Sequence, residues 1–277
     1  MLDVKKTRVA IIGAGALGGA VARGLAKAGC NVTASCPHPD RRPEVSAEGV
    51  RLISGNMEAA AWGEVVMFAV KPHLTPDVVE AAAERLRGRL CVSLAAAVPI
   101  EMLERAAPGA RWSRAMTSIC AAMGAAFTGV ALSGDCTEED RAWLLDAFGL
   151  LGDADIAEEG KLDALTALTG AGPAFFLGLL EAAAMGGIQA GLPKTLAYKA
   201  AAAAVLGAAR LAQESDKAPS ALRDDICTPA GMTIEGVAEL ERSGARGAMM
   251  RAVTLTADKG RALTGRLREG WGRSPAS

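Results

Sequence analysis

Histidine is almost absent from this chain: the 277 residues include two, His38 beside Pro39 and His73 beside Pro72. Two imidazoles in proline-bounded loops cannot build a histidine-based metal site or a nucleophile–histidine triad. Aromatic residues make up 4% of the sequence, so close helix packing through small side chains is expected rather than a core of large rings. The six cysteines (30, 36, 91, 120, 136 and 227) have no C-x-x-C spacing. Buried free thiols in a reducing cytoplasm explain them better than disulfides or a metal. Basic runs are lacking and the formal net charge is −1, which excludes a nucleic-acid footprint. The opening residues MLDVKKTRV lead straight into a strand, so no secretory signal is expected. The weakly charged stretch from Ala164 to Leu192 is broken by Gly170-Ala171-Gly172-Pro173 and carries Glu181. Alanine and glycine give little transfer energy, so no membrane span is expected there.

What is present is concentrated in residues 8–29, RVAIIGAGALGGAVARGLAKAG. A buried strand, Val9 to Ile12, runs into Gly13-Ala14-Gly15-Ala16-Leu17-Gly18, and an alanine-rich helix follows. Gly13 permits a tight turn, Gly15 lets the backbone approach phosphates, and Gly18 lets the helix sit close to the strand. The helix start offers free N–H groups and a positive dipole end to a pyrophosphate. The chain is therefore expected to bind a nicotinamide or flavin dinucleotide.

Further strands are expected at Asn31 to Cys36, Glu64 to Val70, Leu90 to Leu94, Arg111 to Met116, Gly129 to Leu132 and Ala154 to Ile156, with helices between. That alternation predicts an α/β, Rossmann-type, doubly wound and mainly parallel sheet over residues 1–158. From Glu158 onward strand signals vanish. Helices are expected at Leu162 to Thr169, Ala174 to Ala190, Lys194 to Gln213, Pro219 to Ile226, Thr233 to Ser243 and Arg246 to Leu263, followed by a loose tail after Gly265. Residues 159–277 thus read as an all-α domain whose small-residue faces suit an oligomer interface.

An acidic residue about twenty positions after the glycine turn normally takes the ribose hydroxyl of NAD. Here the second strand ends Thr33-Ala34-Ser35-Cys36-Pro37, with no acid until Asp40. Ser35 and the pair Arg41-Arg42 suit a 2′-phosphate instead, or are a solvated basic loop. NADPH is the expected cofactor, with NADH as the alternative.

Three later segments, taken with the glycine turn, resemble the pyrroline-5-carboxylate reductase family. They are VVMFAVKP (Val65 to Pro72), LTGAGPAF (Leu168 to Phe175) and LRDDICTPAGMTIEGVAELE (Leu222 to Glu241). The resemblance covers nearly the whole chain in the same order. It implies hydride transfer to the C=N bond of a five-membered cyclic imine carrying a carboxylate, 1-pyrroline-5-carboxylate, to give L-proline. A protonated imine is already electrophilic, so no strong side-chain base is needed. The resemblance puts Val70, Lys71, Pro72, Ala95, Met116 and Ser118 at the nicotinamide side. It puts Ala230, Gly231, Met232 and Thr233 at the substrate, with the Thr233 hydroxyl on the ring nitrogen as the catalytic group; Thr233 also reads as a helix N-cap. A homodimer through the helical domain, and further assembly into a decamer, are implied as well.

The chain departs from the family at both walls of that pocket. Arg-x-Met-Pro-Asn-Thr-Pro is replaced by Arg114-Ala115-Met116-Thr117-Ser118-Ile119-Cys120, and Ala97 stands at the fifth strand's glycine exit. In the turn Thr228-Pro229-Ala230-Gly231-Met232-Thr233, alanine replaces the first glycine and methionine the first threonine. Ala230 is expected to disfavour positive φ. A related cyclic imine as substrate, another small NADP reductase of the 3-hydroxyacid or ketol-acid type, and a non-catalytic NADP-binding sensor are the competing readings.

Overall fold

The computed structural model describes residues 3–271. One compact unit runs to Ala171 and includes the residues from Leu255 on; the other is Gly172–Thr254. The strands are β1 (Arg8–Ile12), β2 (Asn31–Ser35), β3 (Arg51–Ile53), β4 (Val65–Phe68), β5 (Leu90–Ser93), β6 (Arg111–Met116), β7 (Ala126–Leu132) and β8 (Gly152–Ile156). They form one sheet in the order β3-β2-β1-β4-β5-β6-β7-β8. All pairs are parallel except β6 with β7. The connection 117–125 is too short for the crossover that parallel neighbours require, so the chain turns back on itself there.

Around the sheet lie α1 (Ala16–Lys27), α2 (Pro43–Ser46), α3 (Asn56–Trp62), α4 (Thr75–Leu86), α5 (Ile100–Ala106), α6 (Glu138–Gly149) and α7 (Leu162–Leu165). The second unit holds α8 (Gly172–Gln189), α9 (Lys194–Glu214), α10 (Pro219–Ile226), α11 (Met232–Arg242) and the start of α12 (Ala245–Trp271). The sequence reading missed β3, α2 and α3. Each is short, and β3 is an edge strand whose Arg51 is exposed, so neither strand nor helix periodicity has room to show.

Strand alternation sends Val9 and Ile11 to one face of the sheet and Ala10 and Ile12 to the other, and each face has its own buried cluster. Burial on both faces is why β4 reads as an unbroken apolar run. The ring-poor core expected from composition is wrong for this unit. Trp143 and Phe148 anchor one face, Phe68 and Trp112 the other, and all four are buried. Their polar edges are satisfied: Trp143 Nε1 donates to Thr7 Oγ1 at 3.2 Å and Trp112 Nε1 to the Ala107 carbonyl at 3.3 Å. The expectation does describe the second unit, where Ala184, Ala197 and Ala201 form the buried contact of α8 with α9.

The division falls at Ala171–Gly172, later than 158, because the start of the helical region packs on the sheet. Leu162 is buried with Phe68 and Trp112 and Leu165 lies against them. A Cβ on Gly129 of β7 would stand 2.5 Å from Leu165 Cδ1, so glycine there lets the Leu165 side chain lie directly on the strand. A π-turn at Thr166–Gly170 follows, closed by the Ala171 N–H on the Thr166 carbonyl at 2.9 Å. Leu267 packs on the same cluster, so the segment expected to be loose after Gly265 is helical to Trp271. Residues 272–277 lie outside the described residues. The cysteines are all free, but only Cys30, Cys36 and Cys91 are buried; Cys120, Cys136 and Cys227 are partly exposed.

Asp140 shows how charge is used inside this unit. It closes a capping box with Thr137 at the start of α6 and accepts from the Arg111 guanidinium at 2.6 and 3.0 Å. Burial pushes its carboxyl up, but the Arg111 and Thr137 hydrogen bonds together outweigh that and hold it below the ordinary value. A depressed folded-state pKa stabilises the fold at neutral pH, and this contribution disappears as pH falls through the folded value. Asp140→Asn is expected to cost about 2 kcal/mol at neutral pH and much less in acid, where the parent carboxyl is itself protonated. Urea unfolding at the two pH values checks both.

Candidate active site

The candidates on the first unit gather on one edge of the sheet. Ser35 ends β2, Gly13 follows β1, Val70 to Pro72 follow β4, Ala95 follows β5, and Met116 and Ser118 end and follow β6. These are the carboxyl ends of five adjacent parallel strands. The chain reverses its winding between β1 and β4, and ligands of open α/β sheets sit at such a switch point.

The glycine turn is shaped by close approach. Gly13 has φ +100°, and a Cβ there would meet Val70 Cγ1 at 2.9 Å and the Ala69 carbonyl group at 3.0 Å. The Gly13 and Ala14 N–H groups donate to the Ser35 carbonyl at 3.0 and 2.7 Å, tying the turn to β2. Gly15 is the N-cap of α1 and has no side-chain cap, which leaves the N–H groups of Ala16, Leu17 and Gly18 without intrahelical acceptors. A Cβ on Gly15 would meet nothing within 4 Å. The turn therefore presents donors and empty space together, as a pyrophosphate requires.

At the ribose end the structure revises the expectation. Ser35 is buried and its hydroxyl donates to Asn56 Oδ1 at 2.8 Å, so it is no free donor for a phosphate. Asn56, the first residue of α3, was missed because its only signal is a Gly-Asn pair after an unread strand. The two arginines separate in role. Arg42 donates from Nη1 to the Ala14 carbonyl at 2.5 Å, from Nη2 to the Gly15 carbonyl at 3.2 Å, and from Nε to Glu44 at 2.7 Å. It braces the glycine turn from outside. Arg41 is exposed and is the cation left available to a ligand.

At the opposite end Lys71 is exposed, and its carbonyl accepts from the Leu74 N–H and the Thr75 hydroxyl at 2.9 and 3.2 Å. Met116, Thr117 and Ser118 are buried. Thr117 Oγ1 accepts from Thr128 Oγ1 at 2.9 Å, and Ser118 Oγ accepts from the Cys120 N–H at 3.3 Å. The loop that replaces a proline-framed turn is thus held by hydroxyls. Ile119 and Met123 project from it, 59% and 76% exposed.

Ala230, Gly231, Met232 and Thr233 lie on the second unit, where they open α11. Gly231 is the N-cap, and its N–H donates to the Thr228 carbonyl at 3.0 Å. A Cβ at 231 would strike Thr228 Oγ1 at 2.2 Å, so a side chain there would force the Thr228 hydroxyl to turn away. Thr233 occupies the second helical position, so its reading as the N-cap is corrected. It lines a cavity of about 320 Å³ with Leu211, Leu222, Arg223 and Ile226. Met232 is 94% exposed. The Met232 and Thr233 N–H groups are left without intrahelical acceptors.

Ala230 does adopt positive φ, +56°, and Ala97 does so at +65°. These are the two non-glycine residues in that region among those described, and each stands where the family resemblance implies glycine. A left-handed alanine costs about 1–2 kcal/mol, while glycine adds back roughly 0.5–1 kcal/mol of chain entropy. Ala97→Gly and Ala230→Gly are each expected to stabilise the protein by about 0.5–1 kcal/mol, read from urea midpoints.

Comparison with known proteins bears on both units. Residues 159–263 match the family described as pyrroline-5-carboxylate reductase dimerisation, and residues 8–97 that described as NADP oxidoreductase, coenzyme F420-dependent. The pyrroline-5-carboxylate reductase of Pisum sativum is 38% identical over 91% of this chain and 94% of its own length. The chain belongs to the pyrroline-5-carboxylate reductase family. The Arabidopsis thaliana reductase is 36% identical to this family member over 95% of the chain and 98% of its own length. Among solved structures, the Coxiella burnetii pyrroline-5-carboxylate reductase superposes with a TM-score of 0.83 at 26% identity, covering 93% of this chain and 98% of its own. The Plasmodium falciparum pyrroline carboxylate reductase, a structure with NADP bound, gives 0.87 at 23% identity, over 95% and 100%; that likeness speaks for the fold. This reductase fold is therefore the sheet domain and helical domain expected from the sequence.

Proposed function

We infer that this protein reduces the C=N bond of 1-pyrroline-5-carboxylate with NADPH to give L-proline, the last step of proline biosynthesis. The observation that carries the reading is its kinship to reductases of that name across both units, with the glycine turn on one and the Thr228–Thr233 turn on the other. The coenzyme supplies the hydride. The residues of the chain do the rest. The first-turn N–H groups of α1 take the pyrophosphate, and Arg41 takes the 2′-phosphate. Val70, Lys71, Pro72, Ala95, Met116 and Ser118 border the nicotinamide. The Met232 and Thr233 N–H groups hold the substrate carboxylate, and the Thr233 hydroxyl bonds the ring nitrogen and fixes its proton.

The exposed apolar side chains of the second unit, Phe176, Leu177, Leu179, Met185 and Leu206 among them, need a cover. The run Glu159–Gln189 is also long and apolar enough to cross a membrane, by length and composition only. The match to a dimerisation family favours a second copy as the cover, and we assign a homodimer through α8 and its neighbours, with dimers free to assemble further. Free cysteines fit a cytoplasmic protein.

The test is to mix purified protein, NADPH and 1-pyrroline-5-carboxylate and follow nicotinamide absorbance, with NADH in parallel. Turnover with NADPH preferred is the expected result. Binding of NADPH without turnover on any cyclic imine would favour a sensor, and preference for NADH would remove the Arg41 assignment. Met232, which puts an exposed apolar group at the carboxylate cradle, favours profiling a six-membered imine and one lacking the carboxylate in the same assay.

A further inference from the structure

Arg114 projects from β6 with its side chain 5% exposed. Nη1 donates to Glu159 Oε1 at 2.9 Å, while Nε and Nη2 are buried without a protein partner. The same Glu159 oxygen accepts the backbone N–H of Ile100 at 2.7 Å. Ile100 is the first residue of α5, and its N-cap, Pro99, supplies no side-chain bond. A carboxylate from beyond β8 thus closes the start of a helix that follows β5, and a buried cation on β6 holds that carboxylate.

Between β5 and α5 lies the loop Leu94–Pro99. It contains Ala95, Ala96 and the left-handed Ala97; Leu94, Ala95, Ala97 and Val98 are buried, but their apolar side chains hold the loop by packing alone and cannot bond the open N–H groups at the start of α5. At its near end the Ala95 N–H donates to Ser93 Oγ at 3.3 Å; at its far end stands the Glu159–Ile100 bond. We propose that Arg114 and Glu159 are positioning residues for hydride transfer, their ion pair, buried at the guanidinium and half-buried at the carboxylate, fixing the Ala95–Pro99 loop against which the nicotinamide lies. This rests on the assignment of Ala95 to the cofactor site. Without Glu159 the buried cation has no counter-charge and must move, and the loop end loses its tether. An apolar pair of similar volume would serve stability as well or better, but it cannot reach for the Ile100 N–H. That geometry points to placement of the loop as the function of the pair.

The decisive variant is the double substitution Arg114→Met with Glu159→Leu, which removes both charges and is expected to fold. Its urea midpoint, NADPH dissociation constant, fluorescence of bound NADPH, and kcat and KM for the imine are compared with the parent. The expected result is a parent-like midpoint, NADPH bound about tenfold or more weakly with an altered emission spectrum, and kcat lowered about ten- to a hundred-fold with KM for the imine little changed. Glu159→Gln, which keeps an acceptor for Ile100, is expected to recover much of the NADPH affinity lost in Glu159→Ala. A double variant with parent-like NADPH affinity and kcat overturns the proposal. Ala95→Val separates the two assignments. If it leaves NADPH binding intact, the loop is not part of the cofactor site. If it weakens binding while the double variant does not, the positioning role alone fails.

Discussion

Gly18→Ala is expected to yield a poorly folded protein without NADPH binding, whereas Gly15→Ala is expected to fold like the parent and still lose NADPH. The two glycines lie three positions apart in one turn and differ in what a methyl would meet. At Gly18 a Cβ would stand 2.0 Å from the Gly13 carbonyl oxygen and 2.8 Å from Ala69 Cβ. Both neighbours are fixed by β1 and by the chain leaving β4, so the helix must move off the strand, at about 1–3 kcal/mol or more. At Gly15 the space is open and the backbone, φ −69° and ψ −161°, is one that alanine adopts freely. Gly15→Ala should therefore change stability by less than about 0.5 kcal/mol. If that space belongs to the pyrophosphate, the methyl displaces it at a similar overpacking cost, roughly ten- to a hundred-fold in dissociation constant. Fluorescence titration with NADPH beside urea unfolding separates the cases. A Gly15→Ala protein that binds NADPH like the parent would remove the turn from the cofactor site.

The glycine turn was legible because each of its requirements is local: a strand before, a helix after, and glycines at fixed offsets. The Thr228–Thr233 turn stood out only through resemblance, since nothing local distinguishes it from an ordinary helix start. What escaped the sequence depends on partners distant in the chain. Ser35 looks free until Asn56 is brought to it across β3, and Arg41 and Arg42 are interchangeable until the turn Pro39–Arg41 aims one of them at Ala14. Glu159 sits in no motif; its meaning comes from β6 and α5 meeting over it. Composition misled about the core because it averages a sheet unit built around four buried rings with a helical unit built on alanine. Propensity misled at Ala230, where the turn imposes a left-handed backbone that alanine does not favour.

If the Thr228–Thr233 turn holds the substrate as proposed, its backbone N–H groups and its hydroxyl make two separate contacts, which can be removed one at a time. Thr233→Ala is expected to lower kcat about a hundredfold with KM little changed, because a hydroxyl that fixes the proton on the ring nitrogen matters most as hydride adds to the neighbouring carbon. The side chain is exposed and lies at the second position of α11, so folding should be untouched, and Thr233→Ser should restore most of the rate. Met232 occupies the first helical position, where proline is well tolerated. Gly231 before it is extended, φ −80° and ψ 173°, as a residue preceding proline should be. Met232→Pro therefore deletes one backbone N–H while keeping the helix. The loss of one charge-assisted hydrogen bond to the carboxylate, about 1.5–3 kcal/mol, should appear as KM raised roughly ten- to a hundred-fold with kcat near the parent value. Steady-state kinetics of the two variants then give opposite splits, and a Met232→Pro enzyme with unchanged KM would mean that the carboxylate is held elsewhere.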